Sequence, residues 1–394
     1  MSTLLGPGSR GLLAAAVGAA GGDLRSATPR QTSYEPGRSL TVRYDAAVRW
    51  PSGNVVDEML VASTRTALHA GALVLDDGDH QVAVWRVPHD PALPGLAAAL
   101  DPDRARRLLA DLGAPVPAAV PRLRSYRPGR RAVVEVSGPG ARLYLKLVRP
   151  TVAEGLHRRH LLLAGHVPVP MSLGWSPELG VVALQAVGGR TLRCSLDQRR
   201  GLPGGAGLLT LLDRLPDPGA LAGHRAGWQA PRFARLIGAV APELSVRVEA
   251  LAGQLTSAEA ALAGPLAPTH GDFHEAQLLV DGGRITGLLD VDTFGAGRRL
   301  DDLATLIGHL ATLAIGSPRR MAIERYAARL LDHFDRTVDP AQLRHSVAAV
   351  VLGLATGPFR VLEPGWRKAT ARRVELAERW WASAARPSAS SVAS

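Results

Sequence analysis

Lysine, asparagine and cysteine are nearly absent from this chain. Of its 46 basic residues only Lys146 and Lys368 are lysine, so 46 − 2 = 44 are arginine, and Asn54 is its single asparagine. One cysteine, Cys194, excludes an internal disulfide and suits a reducing compartment, so a cytoplasmic location is expected. Aromatic residues are only 4% of the chain and the arginines are scattered, so a net charge of +11 comes without a stacking platform for nucleic acid. No apolar run approaches the length of a membrane span, and no membrane partner is expected. The short run Leu12 to Ala20 has one basic residue before it, Arg10, and reads as a domain helix rather than a signal-peptide core. What is present is a globular composition, 46% hydrophobic over 394 residues, enough for two or three domains and a sizeable core. The sequence carries no signal of oligomeric state.

The most informative stretch is HGDFHEAQLLVDGGRITGLLDVD, residues 270 to 292. Two apolar runs, Leu278 to Val280 and Ile285 to Val291, flank Asp281-Gly282-Gly283, a strong hairpin signal. A turn centred on Gly282 and Gly283 sets Gln277 opposite Leu288, with Asp290 two positions along the same face. Such diagonal neighbours lie roughly 7 Å apart or less, close enough to share one ion. Asp272 precedes the first strand in a loop that can point to the same place. One hairpin thus gathers an amide oxygen and two carboxylates, a set suited to Mg²⁺ and to a positioned base.

H-G-D-x-H-x-x-N followed about twenty residues on by Asp is the mark of the aminoglycoside phosphotransferase and choline kinase-like superfamily, and this stretch resembles it. His270, Gly271, Asp272 and His274 match, Gln277 stands where Asn is usual, and Asp290 follows Asp272 by 290 − 272 = 18. The later Asp302-Leu303-Ala304 is similar to the D-L-A that opens a helix in that superfamily. Gln at the Asn position resembles the maltokinase and glucosamine kinase branch. The resemblance implies an α+β, protein kinase-like two-lobe fold, with a small β-rich N-lobe and a larger helical C-lobe.

Under that resemblance the lone strand lysine gains a role. Lys146 lies in the alternating run Arg142 to Leu147, where a kinase needs a compact point charge for the α- and β-phosphates. An exposed strand lysine is the plainer reading. The resemblance implies that Glu154, opening the helix-like run Val152 to Ala164, holds Lys146. Gly165 to Pro170 is similar to the superfamily's exit to the next strand. There is no G-x-G-x-x-G. Tyr126-Arg127-Pro128-Gly129-Arg130-Arg131 instead precedes the strand Ala132 to Val136, and Gly129 permits close backbone approach to phosphate; a basic surface turn is the other reading. The linker Ala183 to Arg190, with Gln185 and Val187, resembles the hinge whose backbone reads adenine.

Four segments are expected: an α/β cap over 1–105, the N-lobe over 106–189, the helical C-lobe with the hairpin over 190–386, and a disordered tail over 387–394. The cap reading rests on an internal echo. Tyr34-Glu35-Pro36-Gly37-Arg38 repeats as Tyr126-Arg127-Pro128-Gly129-Arg130 at an offset of 126 − 34 = 92, and Gln81 to Arg86 is matched to Leu143 to Lys146. Chance likeness of two turns is the alternative. Beyond Arg190 helical spacing marks Phe233 to Leu262, Ala304 to Leu313, Met321 to Phe334, Ala341 to Leu354 and Arg367 to Trp381, with Gly201 to Gly207 as a loop.

These readings converge on a small-molecule kinase using ATP and Mg²⁺, with a small hydroxyl compound, sugar-like by the Gln277 resemblance, as acceptor. Asp272 is the base, and His270 beside it holds the loop through side-chain hydrogen bonds. Asp290 and Gln277 are the metal ligands; Lys146, Glu154, Gly129, Gln185 and Val187 form the nucleotide side. Asp292 either assists a second ion or caps the loop Thr293 to Gly297. A catalytically silent nucleotide-binding module of the same fold is the alternative. A protein kinase fits poorly, because His-Gly-Asp replaces His-Arg-Asp and no A-P-E follows Asp290.

Overall fold

The computed structural model describes residues 2–68, 70–76, 81–198, 200–219, 221, 229–260 and 265–385. The expected tail, Pro387 to Ser394, lies outside them. The fold is α+β, and the chain divides into a β-rich unit (Met1–Arg158, Met171–Ala186 and Phe359–Pro364) and a largely helical one (Arg159–Pro170, Val187–Pro358 and Gly365–Ser394).

Two five-stranded antiparallel sheets build the first unit. One contains β1 (Asp23–Glu35), β2 (Ser39–Arg49), β3 (Val55–Ser63), β4 (Leu73–Asp76) and β5 (Gln81–Arg86), in the order β1-β2-β3-β5-β4. The other contains β6 (Val120–Arg127), β7 (Arg131–Gly138), β8 (Ala141–Val148), β9 (Ser172–Ser176) and β10 (Val181–Gln185), in the order β6-β7-β8-β10-β9. The order is the same in both, and so is the register. Tyr34 pairs with Leu40 and Tyr126 with Ala132 beside the two matching turns. Seven residues after each tyrosine (41 − 34 = 133 − 126 = 7), Thr41 pairs with Ser63, and Val133 with Lys146. Across the next strand Ser63 pairs with Ala83, and Lys146 with Val182. Ser63 therefore occupies the lattice position of Lys146, and its hydroxyl is closed off by that of Thr41 at 2.7 Å.

This corrects one part of the sequence reading. The counterpart of Leu143 to Lys146 is the end of β3, not Gln81 to Arg86, which matches β10. The outer half of β3, Val55 to Glu58, is exposed or half-buried and mixes valine with acids, which hid the strand. The copies also differ between their third and fourth strands: the second inserts the helix Pro150–Ala164, whereas the described residues of the first form a 3₁₀ turn, Thr66–Leu68.

Alternation along β3 explains how the sheets pack. Leu60 and Ala62 join Leu13 and Val17 of the helix Gly8–Ala19 in one core, while Val61 joins Ala83 and Trp85 in another. That second core also holds Val134, Val136, Leu145, Leu147 and Val181 of the second sheet. With Leu145 and Leu147 turned into this core, Lys146 faces the opposite side of its sheet with Tyr144.

A buried polar link accompanies the shared core. The Asp90 carboxylate accepts from the Tyr126 hydroxyl (2.7 Å), the Gly129 N–H (2.7 Å) and the Ala92 N–H (2.8 Å), and Trp85 Nε1 donates to the Tyr126 oxygen at 3.1 Å. Burial, then the Asp90 charge, push the Tyr126 phenol far up from its ordinary value.

The second unit carries a three-stranded sheet of β11 (Arg190–Thr191), β13 (Leu278–Asp281) and β14 (Arg284–Leu288), and a pair of β12 (Ala267–Thr269) with β15 (Gly295–Gly297). Its helix Arg299–Ala314 is buried along most of its length. Helices Arg320–Phe334, Pro340–Leu354 and Trp366–Ala384 fall close to their sequence-expected runs. The run expected from Phe233 instead breaks into Ala230–Val240 and Ser245–Ala260, because Pro242 has no N–H to continue a helix. The expected loop Gly201 to Gly207 turns helical at Gly205.

Replacing Asp90 by Ala leaves a buried phenol and a buried N–H without their acceptor. A loss of about 1–3 kcal/mol in urea unfolding is expected, with Asp90→Asn losing less because it retains one oxygen. An unchanged unfolding midpoint for Asp90→Ala would show the link to be incidental.

Candidate functional site

In the second unit, the 270–292 stretch folds as a loop and a hairpin held by one buried carboxylate. Asp302, in the first turn of the helix Arg299–Ala314, is fully buried and accepts from the His270 N–H (Oδ2, 2.8 Å) and the Gly271 N–H (Oδ1, 2.8 Å). Burial raises its pKa against the opposing pull of His270 and these two amides. Gly271 has φ 80°, and a Cβ there would meet the Thr293 carbonyl oxygen at 2.8 Å, so the sharp bend requires glycine.

His270 is buried and wholly engaged. Its Nε2 lies 2.8 Å from the Leu289 carbonyl, which can only accept, so Nε2 carries the proton and Nδ1 accepts from the Asp272 N–H at 3.3 Å. These bonds tie it to the loop, and with both ring nitrogens engaged it offers no group for proton transfer. Phe273, fully buried, anchors the next position. Between these anchors the Asp272 side chain is 41% exposed and accessible to a substrate.

The hairpin turns at Gly282 (φ 54°) and Gly283 (φ 86°), the positive φ pair of a tight two-residue turn. Its register departs from the expected one. Val280 pairs with Ile285 but Leu279 with Gly287, so Thr286 forms a bulge and donates to the Gly188 carbonyl at 2.9 Å. Gln277 consequently lies beside Leu289, whose N–H it accepts at 2.8 Å, rather than Leu288. The bulge still brings the intended groups together. Asp290 adopts the left-handed conformation (φ 57°, ψ 59°), and its Oδ2 lies 3.5 Å from the Gln277 amide nitrogen. Turning the amide over presents Oε1 there. Asp292 falls in the 3₁₀ turn Val291–Thr293, close behind Asp290.

Beside Asp272 and the motif residue His274 lie Glu275 and His309, which the sequence reading passed over. Glu275 is fully buried and its Oε1 accepts from Arg193, 2.8 Å from Nη2. His274 and His309 stack with centroids 4.0 Å apart at 12°. Their Nδ1 atoms lie 3.5 Å and 3.7 Å from the same Glu275 Oε2. Burial alone would raise Glu275; the facing His274 and His309 rings and Arg193 bring it down to about 2. Burial and the neighbouring His274 lower His309 to about 4, which favours its neutral form at ordinary pH. The signal for His309 was a lone polar ring in the apolar stretch Leu306 to Leu313.

The first unit holds the nucleotide-side candidates. Lys146 is buried at the centre of its sheet. Glu154, expected to hold it, projects from the exposed face of its helix and pairs with Arg158 one turn on at 2.5 Å, a surface ion pair. Gly129 is also corrected. Its N–H is committed to the Asp90 carboxylate, whose charge disfavours a phosphate there. The Gln185 N–H donates to the Met171 carbonyl at 2.9 Å. The chain passes from the first unit at Ala186 to the second at Val187, within the hinge-like segment. A Cβ at Gly287 would lie 3.0 Å from Val187 Cγ1, which packs that side chain on the hairpin.

Asp302→Asn replaces one of two charged acceptors with an amide that opposes a backbone N–H. A stability loss of about 1–3 kcal/mol by denaturant unfolding is expected. Retention of wild-type stability would mean that the loop does not depend on this clamp.

The comparisons bear on both halves. Residues 122–344 match the model of the "Phosphotransferase enzyme family", 344 − 122 + 1 = 223 of 394 residues and so more than half of the chain. No curated protein matches the chain. Among solved structures, a thermostable mutant of aminoglycoside phosphotransferase APH(4)-Ia, in ternary complex with ADP and hygromycin B, superposes with a TM-score of 0.50 at 14% identity, over 71% of this chain and 98% of that one. An aminoglycoside-3'-phosphotransferase of type VIII gives 0.46 at 23% identity over 64% and 98%. A choline/ethanolamine kinase family protein from Mesorhizobium loti gives 0.47 at 18% identity over 71% and 94%. The first sheet precedes the matched residues, whereas Lys146, Asp272, Gln277 and Asp290 all fall within them, and on that match the chain belongs to the phosphotransferase enzyme family.

Proposed function

We propose that the chain transfers the γ-phosphate of ATP to a hydroxyl group of a small metabolite. The carrying observation is the assembly of Asp272, Gln277 and Asp290 on one clamped loop and hairpin within a phosphotransferase family member. Asp272 takes the proton of the acceptor hydroxyl as the oxygen attacks phosphorus; its partial exposure supports that role. Asp290 and Gln277 hold Mg²⁺. An octahedral Mg²⁺ keeps oxygen donors about 2 Å away and hence about 3 Å from one another, which the 3.5 Å separation here meets with a small side-chain rotation. The ion supplies neutralisation of the charge on the transferring phosphoryl group. Lys146 contributes a fixed cation to the nucleotide phosphates, and the backbone at Gln185 and Val187 receives the base.

A sugar-like acceptor is the preferred class, resting on Gln277 in place of Asn. Cytoplasmic location follows from the need for ATP and from the single cysteine; no helix among the described residues is long and apolar enough to cross a membrane. Residues 1–105 are read as a cap that repeats the N-lobe of 106–189 without its lysine, and 190–386 as the catalytic C-lobe. The silent-module alternative is favoured by two observations, the engaged Gly129 N–H and the Glu154–Arg158 pair.

Calorimetry with ATP and Mg²⁺ is expected to show binding that survives Asp272→Ala, while a screen of hydroxyl compounds finds an acceptor whose turnover that variant abolishes. Turnover of the variant at near wild-type rate would remove Asp272 as base. Binding without turnover of any acceptor would establish the silent module.

Gln277→Asn keeps the ligating amide and is expected to retain measurable turnover with a weakened Mg²⁺ requirement. Gln277→Leu is expected to lose it, and Asp290→Asn to be worse than Gln277→Asn because it removes a full negative charge from the ion. An unchanged Mg²⁺ dependence in Gln277→Leu would exclude Gln277 as a ligand.

A further inference from the structure

We infer that Asp272, His274 and His309 form a second cation site, for a borderline metal of the Zn²⁺ class, whose occupation withdraws Asp272 from the acceptor. Each of the three offers one ligand atom, and these atoms lie within 4.8 Å of one another. Tetrahedral Zn²⁺ with ligands about 2 Å away separates its donors by about 3.3 Å, so side-chain rotations of about an ångström close this set around an ion. Two imidazole nitrogens and one carboxylate oxygen, with room for water or a hydroxyl, are a zinc-type donor set. The amide and carboxylate oxygens of Gln277 and Asp290 instead suit Mg²⁺.

The surroundings orient both rings for such an ion. Glu275 Oε2 is buried and has no hydrogen-bond partner, yet it faces the Nδ1 atoms of both histidines, at 3.5 Å and 3.7 Å. A carboxylate only accepts, so it favours a proton on the Nδ1 atoms that it faces and Nε2 as the ligating nitrogen. The same carboxylate-to-histidine arrangement sets ligand orientation behind known metal centres. On the far side of His274, Nε2 lies 3.7 Å from Asp272 Oδ1 and 3.3 Å from the terminal amide of Gln277. The Ala276 N–H donates to His274 Nδ1 at 3.3 Å, which favours the other tautomer of that ring until an ion takes its Nε2 lone pair. Arg193 holds Glu275 in place from the other oxygen. The stacked rings thus have a purpose that positioning a base alone does not require: they set two parallel nitrogen donors beside its carboxylate.

That occupation slows phosphoryl transfer rests on Asp272 being the base; that the cation binds does not. The test is calorimetry of the full chain with Zn²⁺ in excess Mg²⁺ and without nucleotide, with Co²⁺ as a spectroscopic probe. One tight Zn²⁺ site is expected, with the strong visible bands of four- or five-coordinate Co²⁺ bearing nitrogen ligands. His309→Gln is expected to weaken Zn²⁺ at least about tenfold, and Glu275→Gln about tenfold through lost ring orientation. Absence of Zn²⁺ binding, the weak spectrum of six-coordinate Co²⁺ on oxygen, or equal affinity in a folded His309→Gln protein would each overturn the site. If the variants fail to fold, the Co²⁺ spectrum of the unaltered chain decides. With an acceptor in hand, Zn²⁺ is expected to inhibit in parallel with its binding; binding without inhibition would overturn the withdrawal of Asp272. Zn²⁺ binding with no turnover of any acceptor would fault the kinase reading and leave the site standing.

Discussion

One buried carboxylate fixes the reactive end of the second unit. Asp302 has no exposure to water and spends its charge on two consecutive backbone amides, those of His270 and Gly271. Those amides turn the chain sharply enough that only glycine fits at 271, and the bend sets His270 between the Leu289 carbonyl and the Asp272 amide. Each contact narrows the positions open to the Asp272 side chain without touching its oxygens. A buried charge is costly unless paired or hydrogen-bonded, and here its hydrogen bonds go to backbone that must stay put. The helix Arg299–Ala314 and the loop before the hairpin are therefore coupled through electrostatics as much as through apolar packing.

Much of this was legible in the chain, because local patterns encode local structure. Asp281-Gly282-Gly283 announced the turn, and the H-G-D stretch announced the loop and its acids. Register was less legible. A bulge at Thr286 shifts the pairing by one, and it depends on a hydrogen bond to the Gly188 carbonyl, ninety-eight positions away. The long-range partners were the hardest to see. Asp90 takes the Gly129 amide that pattern alone left available for phosphate, and Arg158 engages the Glu154 carboxylate on the surface. His309 meets His274 only after the helix Arg299–Ala314 folds beside the loop. Pro242 shows the converse: a local rule, a missing N–H, was enough to break a helix that apolar spacing joined.

The first sheet keeps the lattice of the second without its lysine. Strand order, turn and pairing match those of the second sheet. At the position that carries Lys146 in the second sheet stands Ser63, fully buried and bonded to Thr41. A hydroxyl pair satisfies itself and needs no ligand, whereas a buried ammonium demands a partner. Where a helix follows Lys146, the described residues of the first copy form a single 3₁₀ turn.

The packing of the first sheet bears on what can be separated from what. Val61, Ala83 and Trp85 of the first sheet share an interior with Val134, Leu145 and Val181 of the second, so neither sheet has a complete hydrophobic face alone. The two are one cooperative folding unit, although the family match covers only the later sheet. During synthesis the first sheet leaves the ribosome with one side still apolar and must wait for the second to cover it. An N-terminal truncation drawn at the edge of the family match would expose that interior, and the shortened product would be prone to aggregate rather than act as a minimal enzyme.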